Sequence, residues 1–172
     1  MSNEFYARDT SRKIRAVNKA KGERGEYLAT NPPYGYKKDP DNKKQWIVDE
    51  EAAAIVRRIF KLCMEGKGPT QIANMLTADK VLIPSAYHLS QGRKPPCKEI
   101  DDPYRWHQPT VVHILEQRMY TGCTINFRTY TNFIWDKTKR RSPDDKVLVF
   151  PDTHPAIISQ EEFDRVQELR EQ

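Results

Sequence analysis

Side chains able to do chemistry are thinly spread along this sequence. Its four histidines, His88, His107, His113 and His154, are dispersed. His107 and His113 fall on different faces of any helix, which argues against a shared zinc ion. The three cysteines, Cys63, Cys97 and Cys123, form no CxxC pair and give no zinc spacing. Asp152-x-His154 and the adjacent Asp101-Asp102 stand apart from any candidate nucleophile. No glycine-rich loop follows a strand to cradle phosphate, and no serine sits in a recognisable nucleophile setting. The chain alone is therefore expected to catalyse nothing and to need no metal or cofactor. It does concentrate hydrogen-bonding side chains, in the stretch from Arg105 to Met119.

That stretch reads as a short helix with Pro109 at its first position, where the missing N–H costs nothing. At about 100° per residue, Val111, Val112, Ile114, Leu115 and Met119 share one side. Thr110, His113, Glu116 and Gln117 fall on the other. The apolar side must dock on another element. The polar side offers donors and acceptors suited to base edges, with Gln108, Thr110, His113 and Gln117 nearest the bases and Arg105 just before the helix. Any half-buried surface helix shares this profile. Trp106 reads either as a backbone contact or as a core anchor, and the second is favoured.

The elements that would carry this helix follow along the chain. Asn3 to Lys21 reads as a basic helix with a thin apolar stripe of Phe5, Ile14, Val17 and Ala20, stopped by Gly22. Such a helix is marginal alone. Gly22 to Lys44 has no periodicity and reads as an arm. Within it, Pro32 and Pro33 enforce an extended path, and Gly35 separates Tyr34 from Tyr36 at a bend. The two tyrosines could flank a DNA groove beside Lys37 and Lys38, or could pin the arm to the core. Trp46-Ile47-Val48 reads as a strand, and Asp49 as the cap of a helix with Glu50 and Glu51 in its first turn. Ala52, Ile55, Val56, Ile59, Phe60 and Cys63 make the clearest amphipathic pattern in the chain. A short helix from Thr70, its candidate cap, carries Ile72, Ala73 and Leu76 inward. With the Pro109 helix these form the order of a helix-turn-helix trihelical unit.

Between the second and third of those helices lies Ser85 to Tyr104, polar and proline-containing, long for a connection inside a compact unit. It reads as a mobile insertion rather than a loop over nucleic acid. After Gly122 the period changes to two, with Ile125 and Phe127 alternating and a β-rich run at Lys146 to Phe150. Between them Asp136 to Pro143 reads as a basic hairpin tip containing Arg140 and Arg141. Ser159 with Glu162 is a capping box, with Ile158 and Phe163 as its staple. The fold expected is α+β, mainly helical: a trihelical core, a small β-hairpin or sheet, a basic N-terminal helix and an extended arm.

With 172 residues, 37% hydrophobic and 31% charged, the chain has a modest core and a net charge of +5. The basic excess lies in Arg8 to Lys44 and in Arg118 to Lys146, an asymmetry that favours a polyanionic partner. No apolar run could span a membrane and no signal peptide begins the chain. Unpaired cysteines fit a reducing, cytoplasmic compartment.

Taken in order, these pieces resemble a known family. They are the basic helix, Asn31-Pro32-Pro33-Tyr34-Gly35-Tyr36, Ile47-Val48-Asp49-Glu50-Glu51-Ala52 and Gly68-Pro69-Thr70-Gln71-Ile72-Ala73. Trp106 with Thr110-Val111-Val112-His113-Ile114-Leu115, then Tyr120-Thr121-Gly122 and His154-Pro155-Ala156-Ile157-Ile158-Ser159 complete the set. The ordered set resembles the recombinase DNA-binding domain of large serine recombinases, found in phage integrases and transposon resolvases. The resemblance implies double-stranded DNA as partner, and a parent enzyme that cuts and rejoins DNA through a serine–phosphate linkage while acting as a dimer or tetramer. Residues 1–22 would be the end of a long helix leaving a catalytic domain that this piece lacks. Residues 23–45 would be a linker along the minor groove, and residues 46–172 the DNA-binding domain. Backbone and minor-groove contacts would come from Arg12, Lys13, Arg15, Lys19, Tyr34, Tyr36, Lys37, Lys38, Arg105, Arg140 and Arg141. Two other classes compete: a stand-alone helix-turn-helix transcriptional regulator, and a module that binds acidic proteins.

Overall fold

A computed structural model describes residues 2–95, 99–132 and 136–172. Pro96, Cys97 and Lys98, part of the expected insertion and one of the three cysteines, lie outside the described residues. The most periodic stretch of sequence forms helix α2, Glu50–Met64, and buries Ala52, Ala53, Val56, Ile59, Phe60, Leu62 and Cys63. Helix α3, Pro69–Ala78, buries Ile72, Ala73 and Leu76. Its N-cap is Gly68 rather than Thr70, because a proline with its φ preset and no N–H to satisfy starts the helix two residues earlier. Helix α5, Gln108–Leu115, buries Val111, Ile114 and Leu115, and helices α2, α3 and α5 pack on one another as the trihelical unit.

Helix α5 is shorter than its pattern implied. Pro109 is preceded in it by Gln108, and after Leu115 the chain turns through a 3-10 helix at Arg118–Thr121. Gly122 ends that turn with φ +92 and with the His154 carbonyl 2.9 Å from where a Cβ would stand, so only glycine fits. Trp106 is the anchor of α5: its ring nitrogen donates to the Val81 carbonyl and its backbone N–H to the Thr77 hydroxyl, both at 2.9 Å.

The reading of Ser85 to Tyr104 as a mobile insertion is corrected in its first half. Pro84–Ser90 forms helix α4, with Ala86 and Tyr87 buried. The docking partner is Asp49. That residue holds the N-cap position of α2 but makes no capping bond. Its buried carboxylate instead accepts from the Tyr87 hydroxyl at 2.8 Å and from the Arg93 guanidinium at 3.2 Å. A carboxylate gains more from a guanidinium and a hydroxyl together than from one amide.

Among the described residues three antiparallel strand pairs flank the helices. β1, Tyr36–Lys38, pairs with β2, Trp46–Val48, so the end of the arm belongs to a sheet. β3, Thr124–Asn126, pairs with β6, Leu148–Phe150. β4, Thr129–Tyr130, pairs with β5, Arg140–Arg141, which places both arginines in a hairpin stem rather than at its tip. Phe127 leaves the strand at φ +62, which ends the expected alternation. Helix α6, Gln160–Glu171, opens on the full capping box: Ser159 Oγ accepts from the Glu162 N–H and Glu162 accepts from the Ser159 N–H. Helix α1, Ser2–Glu23, precedes the arm. Its C-terminal end is held where buried Asn126 donates to the carbonyls of Gly22 and Glu26, both at 3.1 Å.

Candidate nucleic-acid interface

Because Val111, Ile114 and Leu115 point inward, the opposite edge of α5 is left to solvent. Gln108 and His113 are exposed, Thr110 is half-buried, and Arg105 is exposed just ahead of the helix. Gln117 does not join them, which corrects its assignment to base readout. Since the helix stops at Leu115, Gln117 sits on extended backbone and turns inward to 9% exposure. Its amide nitrogen lies 2.9 Å from Nε2 of His113.

Beside this edge runs a cleft of about 510 Å³, walled by Pro32 and Pro33 of the arm, His88 of α4, and Thr110 and His113 of α5. It continues through Asn31, Pro32, Arg93 and Lys94 into a second cleft that reaches Lys37 and Lys38. Among the described residues no aspartate or glutamate lines either cleft. Burial, and then the nearby Arg93 cation, lower the His88 pKa and favour its neutral form. The cations in the path are thus Lys37, Lys38 and Lys94, with Arg93 committed to Asp49.

Tyr34 lines the first cleft and Tyr36 lines neither, but both side chains are buried. They are 6% and 0% exposed, so the expected minor-groove contacts are corrected to core contacts. The Tyr36 hydroxyl donates to the Pro155 carbonyl at 2.7 Å, and the Tyr120 hydroxyl donates to the Tyr34 carbonyl at 2.6 Å. Burial pushes the phenols of both arm tyrosines far above their ordinary pKa. The bend between them brings Gly35 against Ile157, Tyr120 and Val56 at φ +108, a backbone conformation that strains any other residue. Earlier in the arm Tyr27 stacks on Trp46 with centroids 3.8 Å apart and donates to the Thr153 carbonyl. Beneath them lies buried His154, whose Nε2 must donate to the Met119 carbonyl at 2.6 Å because a carbonyl can only accept. Its burial lowers its pKa.

Residues 50–172 match the family described as Recombinase. The chain belongs to the Recombinase family. Among curated proteins none matches it. Among solved structures, it is similar to a crystal structure of an LSR–DNA complex, with TM-score 0.55 and 19% identity, over 92% of this chain and 39% of that one. It is also similar to a structure concerning sequence requirements of the Listeria innocua prophage attP site, with TM-score 0.47 and 18% identity, over 92% of this chain and 51% of that one. The first likeness establishes a shared fold, and the chain spans about two fifths of that structure's length.

The Recombinase match begins at α2, so the arm and α1 precede it. On α1, Arg12, Lys13, Arg15 and Lys19 are exposed, Lys13 in an ion pair with Asp9 at 3.0 Å. Exposed pairs of this kind contribute little. Phe5, Tyr6, Ile14 and Val17 are exposed on the same helix. In the hairpin, Arg140 is bound to Asp136, which lowers the pKa of that carboxyl, and Arg141 is exposed. Among the described residues no group of histidine, cysteine and acidic side chains could hold a metal, and no helix is long and apolar enough to cross a membrane. Sequence reading missed Arg93 and Asn126. Arg93 sits in a segment without periodicity, and Asn126 looks like an ordinary polar strand residue.

Proposed function

We propose that this Recombinase domain is the DNA-binding part of a serine site-specific recombinase, which works in the cytoplasm as a dimer or tetramer on DNA. It holds part of a recombination half-site, and a separate N-terminal domain of the parent enzyme cuts and rejoins the strands through a serine–phosphate linkage. The observation that carries this reading is the exposed polar edge of α5 beside a carboxylate-free cleft that leads to Lys37, Lys38 and Lys94. Family membership and the fold shared with the LSR–DNA complex support it.

In this reading α5 enters the major groove, where each base pair presents its own pattern of donors and acceptors. Gln108, Thr110 and His113 meet the base edges. Lys37, Lys38 and Arg105 neutralise phosphates on either side, and Arg12, Lys13, Arg15, Lys19 and Arg141 follow the flanking backbone. Phosphate contacts set the position and base contacts the sequence.

Fluorescence anisotropy tests this with a duplex enriched from a random library by this chain and with a scrambled duplex, each over a salt series. The affinity is expected to fall with a log–log slope of about 0.9 per neutralised phosphate, and the enriched duplex to bind at least about a thousandfold more tightly. Absence of duplex binding even at low salt would overturn the proposal.

A further inference from the structure

Among the described residues, the only buried side-chain oxygen or nitrogen without a hydrogen-bond partner is Oε1 of Gln117. The other end of the same amide is well used: its Nε2 stands 2.9 Å from Nε2 of His113. Two nitrogens at that distance need one proton between them. An amide nitrogen can only donate, so the ring nitrogen accepts, the imidazole is neutral, and its own proton sits on Nδ1. Turning the amide over would put Oε1 against the ring and leave an NH2 group where Oε1 now lies unbonded. A buried orphaned donor is rarer than an under-satisfied carbonyl, which favours the arrangement observed.

We infer that Gln117 is a positioning residue that holds His113 as its Nδ1–H tautomer, so that His113 offers DNA a donor and meets a purine N7. His113 is exposed, and among the described residues its Nδ1 has no partner. A donor on that nitrogen meets the N7 acceptor that both purines present in the major groove, and it disfavours the exocyclic amino group of cytosine. The inference rests on α5 being the base-reading helix. It adds that specificity at this contact is set by a buried residue outside the helix.

Long-range proton–nitrogen correlation spectra of the DNA-free chain identify the tautomer without reference to DNA. The Nδ1–H form is expected for His113, and an Nε2–H form or an imidazolium at neutral pH would overturn the inference. Gln117→Leu is expected to shift the ring towards the Nε2–H form that free histidine favours. Gln117→Glu should likewise place a proton on Nε2, since its carboxylate can only accept from Nε2–H. The amide spectrum reports whether each variant is folded, and the wild-type tautomer stands as a test without either. For the DNA half, 7-deazapurines are placed one at a time in the enriched duplex. At one position the analogue should weaken wild-type binding about tenfold, the measure of one hydrogen bond, and leave Gln117→Leu and His113→Ala nearly unaffected. Equal sensitivity of wild type and Gln117→Leu at every position would overturn the inference. If no duplex is enriched, the reading of α5 falls and takes the DNA half with it, while the tautomer is judged on its own spectrum.

Discussion

Helix α1 and the arm that follows it adjoin in the chain and behave in opposite ways. The first has helical length and a regular register, yet Phe5, Tyr6, Ile14 and Val17 are each more than half exposed. The second has two prolines and no periodicity, yet Pro32, Tyr34, Gly35 and Tyr36 are buried. What separates them is the surface each one meets. Tyr27 finds Trp46, Tyr36 finds Tyr120 and His154, and the Tyr34 carbonyl finds the Tyr120 hydroxyl. Among the described residues the apolar stripe of α1 meets no such surface apart from its C-terminal end, where Phe127 and Asn126 close on Gly22. A local pattern states what a segment can form, and a complementary partner decides whether it is buried.

Truncation should separate the two regions most sharply. Tyr36→Ala removes a fully buried ring and its hydrogen bond, and should cost about 3–5 kcal/mol in urea unfolding. Phe5→Ala on α1 should stay within about 0.5 kcal/mol. Comparable losses from both would erase the contrast.

Next in size is the clamp that holds the arm from the side of α4. Arg93 bonds both Asp49 and the Tyr36 carbonyl, and Tyr87 bonds Asp49. Asp49→Ala should cost about 1.5–3 kcal/mol, as expected for hydrogen bonds to a charged group, and should speed amide exchange in α4 while leaving α1 unchanged. An effect within error would mean that the segment after α4 is not fastened by this pair.

On DNA the arm and α5 should differ in kind. His113→Ala should cost about 1–3 kcal/mol on the enriched duplex alone. Lys37→Ala should weaken binding to every sequence and lower the salt slope by about 0.9. Identical behaviour of the two variants on scrambled DNA would contradict the division between reading and positioning.

The smallest effect concerns acid. His154, beneath Tyr27 and Tyr36, and His88, beside Arg93, have folded-state pKa values lowered by burial. The unfolded chain therefore binds more protons than the folded one as pH falls. Their contribution to stability is fully present above about 6.5, the unfolded histidine value, and is lost as pH drops through the lowered folded values. Urea midpoints measured between pH 7.5 and pH 5 should fall, with the arm loosening and α1 indifferent. A flat profile would mean that neither ring is held neutral by burial.

Much of the core was legible in the sequence because one element settles it. The apolar period of α2, the inward face of α3 and the capping box at Ser159 all depend on local spacing. The candidate interface was legible in part. Gln108, Thr110 and His113 stand at the surface as the period of α5 implies, and Gln117 does not, because the helix ends two residues before it. Asp49 looks like a cap until Tyr87 and Arg93, remote in sequence, arrive at its carboxylate. Tyr34 and Tyr36 sit among prolines and lysines, and their burial depends on Tyr120, Pro155 and Ile157, more than eighty residues on. Such pairings leave no mark on a single stretch of sequence.

Hydroxyl-radical footprinting of the chain, alone and on its enriched duplex, tests most directly whether α5 is the surface that meets DNA. The account predicts that His113 loses reactivity on binding and that Tyr34 and Tyr36 are unreactive in both states. Protection of Phe5 and Tyr130 with His113 unchanged would contradict it and would move the interface to α1 and the β4–β5 hairpin.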